Sequence, residues 1–188
     1  MQFTDITPQD RLALLNTARD SINYGLLHNT VLPVELGDYS PLLQSKGASF
    51  VTLNIRQQLR GCIGTLEAYQ PLITDVSQHA FDAAFQDPRF APVSKIEIEQ
   101  LEIHISILTP AEPIEFSSEQ DLLRQLEPGK DGLIIEDSSH RATFLPSVWE
   151  QLPEPVDFLD HLKAKAGLGK SDWHSEMRAS RYHAISVE

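Results

Sequence analysis

Residues 101–109 alternate without a break. Leu101, Ile103, Ile105 and Ile107 fall on one side, and Glu102, His104, Ser106 and Leu108 on the other. A period of two held over that length marks a β-strand with one face against a core. The rest of the fold must therefore supply partners for this strand. Residues 48–55 alternate too, with Val51, Leu53 and Ile55 on one face, and 59–66 follow after a turn near Arg56-Gln57-Gln58, which predicts a hairpin. A second hairpin is expected from 133–136 and 141–145 around Ser138-Ser139, and 177–187 reads as a closing strand.

Helical signals separate these strands. Thr7 and Pro8 fit an N-cap and first helical position, followed by Leu12, Leu15, Ala18, Ile22 and Leu26 at helical spacing. Residues 29–46, with Pro33, Gly37 and Pro41, read as a long ordered loop. Pro71 opens a helix to about Gln86 that places Ile73, Val76, Ala80 and Ala83 on one stripe, and Asp87-Pro88-Arg89-Phe90-Ala91-Pro92 ends it. Further helices are predicted over 118–126, capped by Ser118, and over 146–152 and 155–166, with a turn at Pro128-Gly129-Lys130-Asp131-Gly132. Strands interrupted by helices, with hairpin signals, predict an α+β fold with a mainly antiparallel sheet, not a doubly wound one.

The net charge of −12 disfavours general binding to phosphate backbones and anionic lipid. Cys62 is the single cysteine, so no internal disulfide points to an oxidising compartment. The first five residues lack a signal-peptide pattern, and no stretch approaches the roughly 20 apolar residues of a membrane span. The expected location is the cytoplasm, with no membrane partner.

The chemistry concentrates at Leu59-Arg60-Gly61-Cys62-Ile63-Gly64-Thr65. On an extended strand Arg60, Cys62 and Gly64 share a face. A guanidinium beside a thiol favours the reactive thiolate. Glycines weaken a strand, so Gly61 and Gly64 imply close approach of a ligand or another backbone. The competing interpretation is a packed cysteine in a hairpin whose glycines make room for a helix. Glu102, His104 and Ser106 invite comparison with a triad, but strand neighbours two apart lie nearly 7 Å apart, at a rise of about 3.3 Å per residue. A serine–histidine pair needs about 2.6–3.2 Å. Residues 164–171 end in Gly-Lys-Ser, yet a helix precedes them, so Gly167 and Gly169 read as helix end and turn, with Lys163 and Lys165 complementing the helix dipole, and not as a phosphate loop. The seven histidines show no metal-binding spacing; His79 with Asp82 and His174 with Glu176 are weak pairs. No cofactor is indicated. Phe90, Phe144 and Trp149 are expected in the core, and they lack the clustered basic residues of a single-strand nucleic-acid site.

Gln58-Leu59-Arg60-Gly61-Cys62-Ile63-Gly64-Thr65-Leu66 resembles the signature of the AMMECR-domain family, whose bacterial and archaeal members include protein A of the AmmeMemoRadiSam system. The likeness continues through Asp87-Pro88-Arg89-Phe90, Leu101-Glu102-Ile103, Gly129-Lys130-Asp131-Gly132-Leu133, Arg141-Ala142-Thr143-Phe144-Leu145-Pro146 with Trp149, Lys165-Ala166-Gly167 and Arg181-Tyr182. Position 104, here His104, more often carries an acidic or other polar residue in that family. The resemblance implies one domain over residues 1–188 with a larger and a smaller lobe, an antiparallel sheet flanked by helices, and a cleft between the lobes. It also implies a Memo-like protein and a radical-SAM protein as partners.

Both lines converge on Arg60, Gly61, Cys62 and Gly64, with Arg89 placed to reach an anionic ligand from its loop. Lys130 and Asp131 are secondary candidates. In one interpretation the protein binds a small molecule and Cys62 is a candidate nucleophile. In the other it is a non-catalytic adaptor whose hairpin is a recognition surface. Recognition of a nucleotide or RNA base ranks below both.

Overall fold

The computed structural model describes residues 5–173 and 176–188. The chain forms two compact units. One comprises the chain up to Leu108 together with Ile185–Glu188, the other Thr109–Ala184.

The first unit contains α1 (Pro8–His28), α2 (Pro41–Gln44), β1 (Lys46–Ile55), β2 (Gln58–Gly64), β3 (Gln70–Pro71), α3 (Leu72–Phe85), α4 (Lys95–Ile98) and β4 (Glu102–Leu108). Its sheet runs β2-β1-β4-β9, with β3 pairing the start of β1. β9 (Ala184–Val187) straddles the boundary between the units. β1 pairs antiparallel with both β2 and β4. One sheet face, with Val51, Leu53, Ile103, Ile105 and Ile107, joins a core completed by Leu14, Ala18 and Ile22 of α1 and by Ile73, Val76, Ala80 and Ala83 of α3.

Thr7 caps α1 as expected, in a capping box with Asp10. The buried face of α1 differs from the apolar stripe predicted for it. It is Asp10, Leu14, Thr17, Ala18, Ser21, Ile22 and Gly25, while Leu12 is exposed. Polar groups enter this face because they have partners: Ser21 donates to the Ser77 carbonyl at 2.7 Å, and Asp10 accepts from Ser40 at 2.6 Å. The 29–46 segment, expected to be loop throughout, contains a 3-10 turn over Leu36–Asp38 as well as α2.

The second unit has β5 (Glu112–Ile114), α5 (Glu119–Gln125), β6 (Gly132–Glu136), β7 (Arg141–Phe144), α6 (Pro155–Ala166) and β8 (Arg178–Tyr182), with its sheet ordered β5-β8-β6-β7. Trp149 lies in a 3-10 turn and stacks on Phe158 in the core, at a ring-centroid distance of 3.7 Å. Gly167 ends α6 in a left-handed conformation, φ 84°, so the Gly-Lys-Ser run follows a helix cap. Lys163 is not a surface partner of the helix end. It is fully buried and donates to Glu119 at 2.5 Å and to the Lys170 carbonyl.

The expected closing strand over 177–187 divides at His183 into β8, in the second unit's sheet, and β9, in the first. The backbone amide of His183 donates to Thr109 Oγ1 at 2.8 Å, and its carbonyl accepts from Thr109 N at 2.9 Å.

Candidate functional site

The β1–β2 hairpin turns on two residues, Arg56 and Gln57, both at positive φ (53° and 64°), and pairs Ile55 with Gln58. This is the conformation of a tight hairpin turn whose twist matches the strands. Asn54 pairs with Leu59, but Leu53 pairs with Gly61, so Arg60 is the extra residue of a β-bulge. The bulge decides where the cysteine goes. In the unbroken register Cys62 would oppose Val51 and share its core-facing side. The one-residue shift sets Cys62 opposite Thr52, on the other face of the sheet. Cys62 is accordingly half-buried and outside the core. The Thr52 hydroxyl donates to its sulfur at 3.3 Å.

Gly61 takes the core-facing position against α3. A Cβ there would sit 2.1 Å from the Ala83 carbonyl oxygen, and one on Gly64 would meet the Phe50 ring and the Ser49 carbonyl at 2.4 Å. The close approach that both glycines predicted is made by the protein's own atoms.

β2 is the edge of the sheet, and Cys62 turns its backbone N–H and C=O away from β1. The loop after α3 caps both groups. Asp87 Oδ2 accepts the Cys62 N–H at 2.9 Å, and Arg89 Nη2 donates to the Cys62 carbonyl at 3.1 Å. Arg89 also grips Asp87 with Nε and Nη2, at 2.9 and 2.7 Å. The Arg89 hydrogen bonds hold the Asp87 carboxyl well below the usual carboxylate range, against its burial, and the Cys62 amide adds to the effect. Arg89 is raised in turn, chiefly by Asp87, with a smaller contribution from Cys62. The Arg89 side chain is 54% exposed, and its Nη1 takes no part in these bonds.

Arg60 is committed elsewhere. Its Nε lies 2.7 Å from Glu97 Oε1, and its Nη2 reaches Glu97 Oε2 at 3.3 Å and the Pro92 carbonyl at 3.4 Å. Arg60, with the Ser94 amide and hydroxyl, lowers the Glu97 carboxyl to about 2. Nη1 of Arg60 is buried without a hydrogen-bond partner among the described residues. The guanidinium bonded to Cys62 is therefore that of Arg89, while Arg60 ties α4 to the hairpin. Phe90 is not a core residue; its ring lies 5.9 Å from the Arg60 guanidinium and 5.5 Å from that of Arg89, within cation–π range.

Sequence spacing missed α4, Thr52 and the capping role of Asp87. The signal for Thr52 was its place on the outer face of a hairpin strand, readable only once the bulge is known. Of the secondary candidates, Asp131 is fully buried, with His183 Nε2 at 3.2 Å and Arg181 Nη1 at 3.5 Å, and its carbonyl accepts from the Trp149 indole at 2.7 Å. Lys130 is exposed and pairs with Glu127. His79 lies beside Asp75, at 3.1 Å, and not Asp82; His174 falls outside the described residues. Among the described residues no group of three or more histidine, cysteine or carboxylate side chains is arranged to hold a metal, and no helix is long and apolar enough to cross a membrane.

The chain as a whole is similar to known proteins of one family. The AMMECR1 family model matches residues 15–187. A protein of Methanothermobacter thermautotrophicus is 34% identical over 188 residues, covering 98% of this chain and 96% of the relative. Protein MJ0810 of Methanocaldococcus jannaschii is 37% identical over 159 residues, covering 82% and 79%. The crystal structure of the uncharacterised protein PH0010 from Pyrococcus horikoshii superposes with a TM-score of 0.84 at 32% identity, covering 92% of this chain and 88% of that one. The chain belongs to the AMMECR1 family.

Proposed function

We propose that this protein binds an anionic small molecule on the outer face of the first unit's sheet, with Cys62 as candidate nucleophile and Nη1 of Arg89 as the anion contact. The observation that carries this reading is the double cap on Cys62. Asp87 and Arg89 hold its backbone from the sheet edge, while the bulge at Arg60 turns its sulfur out of the core and onto the Thr52 hydroxyl. A fixed backbone with a half-buried thiol is the arrangement expected of a positioned reactive group. Gly61 and Gly64 contribute by letting α3 and β1 approach closely enough to build the site.

Iodoacetamide alkylation of Cys62, followed by intact mass, tests this reading with the urea-unfolded chain as reference. The folded protein is expected to label at neutral pH at a rate comparable to or above that of the unfolded chain. Labelling only on unfolding would make Cys62 a packed structural residue and end the nucleophile reading.

One observation favours the adaptor alternative. Leu59 and Ile96 are large, exposed apolar residues, 45% and 82% accessible, on the two elements that Arg60 and Glu97 tie together. On that reading the hairpin and α4 form the recognition surface, and the family resemblance names a Memo-like or a radical-SAM protein as the partner to try. Leu59→Ser with Ile96→Ser should then abolish complex formation in a co-purification while leaving Cys62 labelling unchanged. Retained complex formation would remove the adaptor reading.

A further inference from the structure

We propose that His104, oriented by Glu188, is the proton acceptor for Cys62, with the Thr52 hydroxyl between them. The inference rests on the reading of Cys62 as a reactive thiol and names what would ionise it.

The register of three strands carries it. Thr52 of β1 pairs with Cys62 on one side and with His104 of β4 on the other. The three side chains therefore form one row across the same sheet face. Cys62 and His104 lie two strand spacings apart, roughly 9.5 Å from a spacing of about 4.7–4.9 Å. That is too far for a direct bond, and the gap holds a hydroxyl able to donate and accept at once. The row continues to the residue just after β9, where His104 Nδ1 lies 2.9 Å from Glu188 Oε2. A carboxylate on Nδ1 selects the tautomer protonated there and leaves Nε2 with the lone pair that accepts a proton. No single stretch of sequence shows this grouping, because Thr52, Cys62 and His104 come from three different strands and Glu188 from the residue after a fourth.

The charged groups around the thiol divide by element. The loop after α3 brings Asp87 and Arg89, whose charges offset each other in a bidentate pair. On β2 itself, Arg60 is paired with Glu97 of α4. β4 brings His104 and the exposed Glu102, and Glu188 follows β9.

The proton transfer balances. For the transfer the Thr52 hydroxyl turns from the Cys62 sulfur, to which it donates in the structure, toward His104 Nε2. The Cys62 S–H proton then passes to Thr52 Oγ1 as the Thr52 hydroxyl proton passes to His104 Nε2. The products are a thiolate that accepts a hydrogen bond from Thr52, and an imidazolium that faces the Glu188 carboxylate. Glu188 keeps its charge and stabilises the imidazolium, the role a carboxylate plays behind a histidine base. The His104 side chain is 36% exposed, so it can return its proton to solvent.

The test is the rate of Cys62 alkylation by iodoacetamide in the full chain from about pH 5 to about pH 9, the range that brackets histidine. It compares wild type with His104→Gln, Thr52→Val and Glu188→Gln, each checked for folding by thermal melting. His104→Gln and Thr52→Val are each expected to slow labelling at neutral pH about tenfold while leaving the limiting rate at high pH unchanged. Glu188→Gln should have a smaller effect in the same direction. An unchanged high-pH limit separates loss of the proton acceptor from loss of access. Wild-type profiles in both His104→Gln and Thr52→Val, with the wild-type thiol reactive in the folded state, would overturn the inference and leave the proposed ligand site standing. A wild-type thiol silent until unfolding would overturn both. Should His104→Gln fail to fold, Thr52→Val decides the question alone.

Discussion

Each unit of this protein pins a backbone segment with a buried carboxylate, and the two pins differ in what they leave accessible. In the second unit Asp131 is fully buried and accepts the Glu127 amide at 2.9 Å, with His183 and Arg181 beside it and Trp149 bonded to its carbonyl. The result is a closed turn under a stacked aromatic pair. In the first unit Asp87 accepts the Cys62 amide with Arg89 closing the pair, but the residue it pins carries a thiol on the sheet's outer face. The same physical device serves a packed junction in one place and a presented side chain in the other. What separates them is the bulge at Arg60, which reverses the side to which Cys62 points.

The largest effects should come from changes that break this contrast. Gly61→Ala drives a Cβ into the Ala83 carbonyl, a backbone atom of a core helix, and should destabilise the protein by about 3 kcal/mol in chemical denaturation. The matching change in the second unit, Gly132→Ala, meets the Tyr182 ring at 2.4 Å, and a ring has more freedom to shift than a helix backbone. About half the Gly61→Ala effect is expected there. Equal effects would mean that α3 yields as readily as a side chain.

Asp87→Asn removes a buried charge and leaves Arg89 without its carboxylate, for an expected loss of about 2 kcal/mol, discounted for the exposed half of Arg89. Faster hydrogen exchange at the Cys62 amide should accompany it. A stability loss with unchanged exchange at that amide would show that Asp87 does not hold it.

The smallest effect is an acid response. The folded-state value for Glu97, about 2, lies below the ordinary carboxylate value, so its contribution is fully present above about pH 5. It is lost as pH falls through the folded value. Asp87, also depressed, acts in the same direction. Glu97→Gln should reduce stability by about 1 kcal/mol at neutral pH and flatten the decline between about pH 5 and about pH 2. An acid profile as steep as the wild type's would place the sensitive group elsewhere.

The legible and illegible parts of this molecule divide along physical lines. β4, α3 and α6 were readable because each is long relative to its period and buries a continuous apolar stripe. The buried face of α1 was not, since Ser21 and Asp10 enter it through partners distant in sequence. The division of the closing strand at His183 was hidden because strand pattern alone does not say which sheet a residue joins. At the site, the sequence sets the Arg60 guanidinium beside the thiol and gives Arg89 to an anionic ligand, whereas the hydrogen bonds divide the two arginines differently. Arg60 serves α4, and Arg89 serves Cys62. A single bulge and an edge-strand cap, neither of which has a sequence period, made that difference.

The most direct measurement of the central claim is a paired one on a single sample: the rate of Cys62 alkylation and the rate of hydrogen exchange at the Cys62 amide. The expected result is an amide protected by Asp87 beside a sulfur that reacts in the closed state, so labelling outpaces opening of the amide. Labelling that proceeds only as fast as the amide opens would mean that the thiol is reached by unfolding the edge strand, and would contradict a presented Cys62.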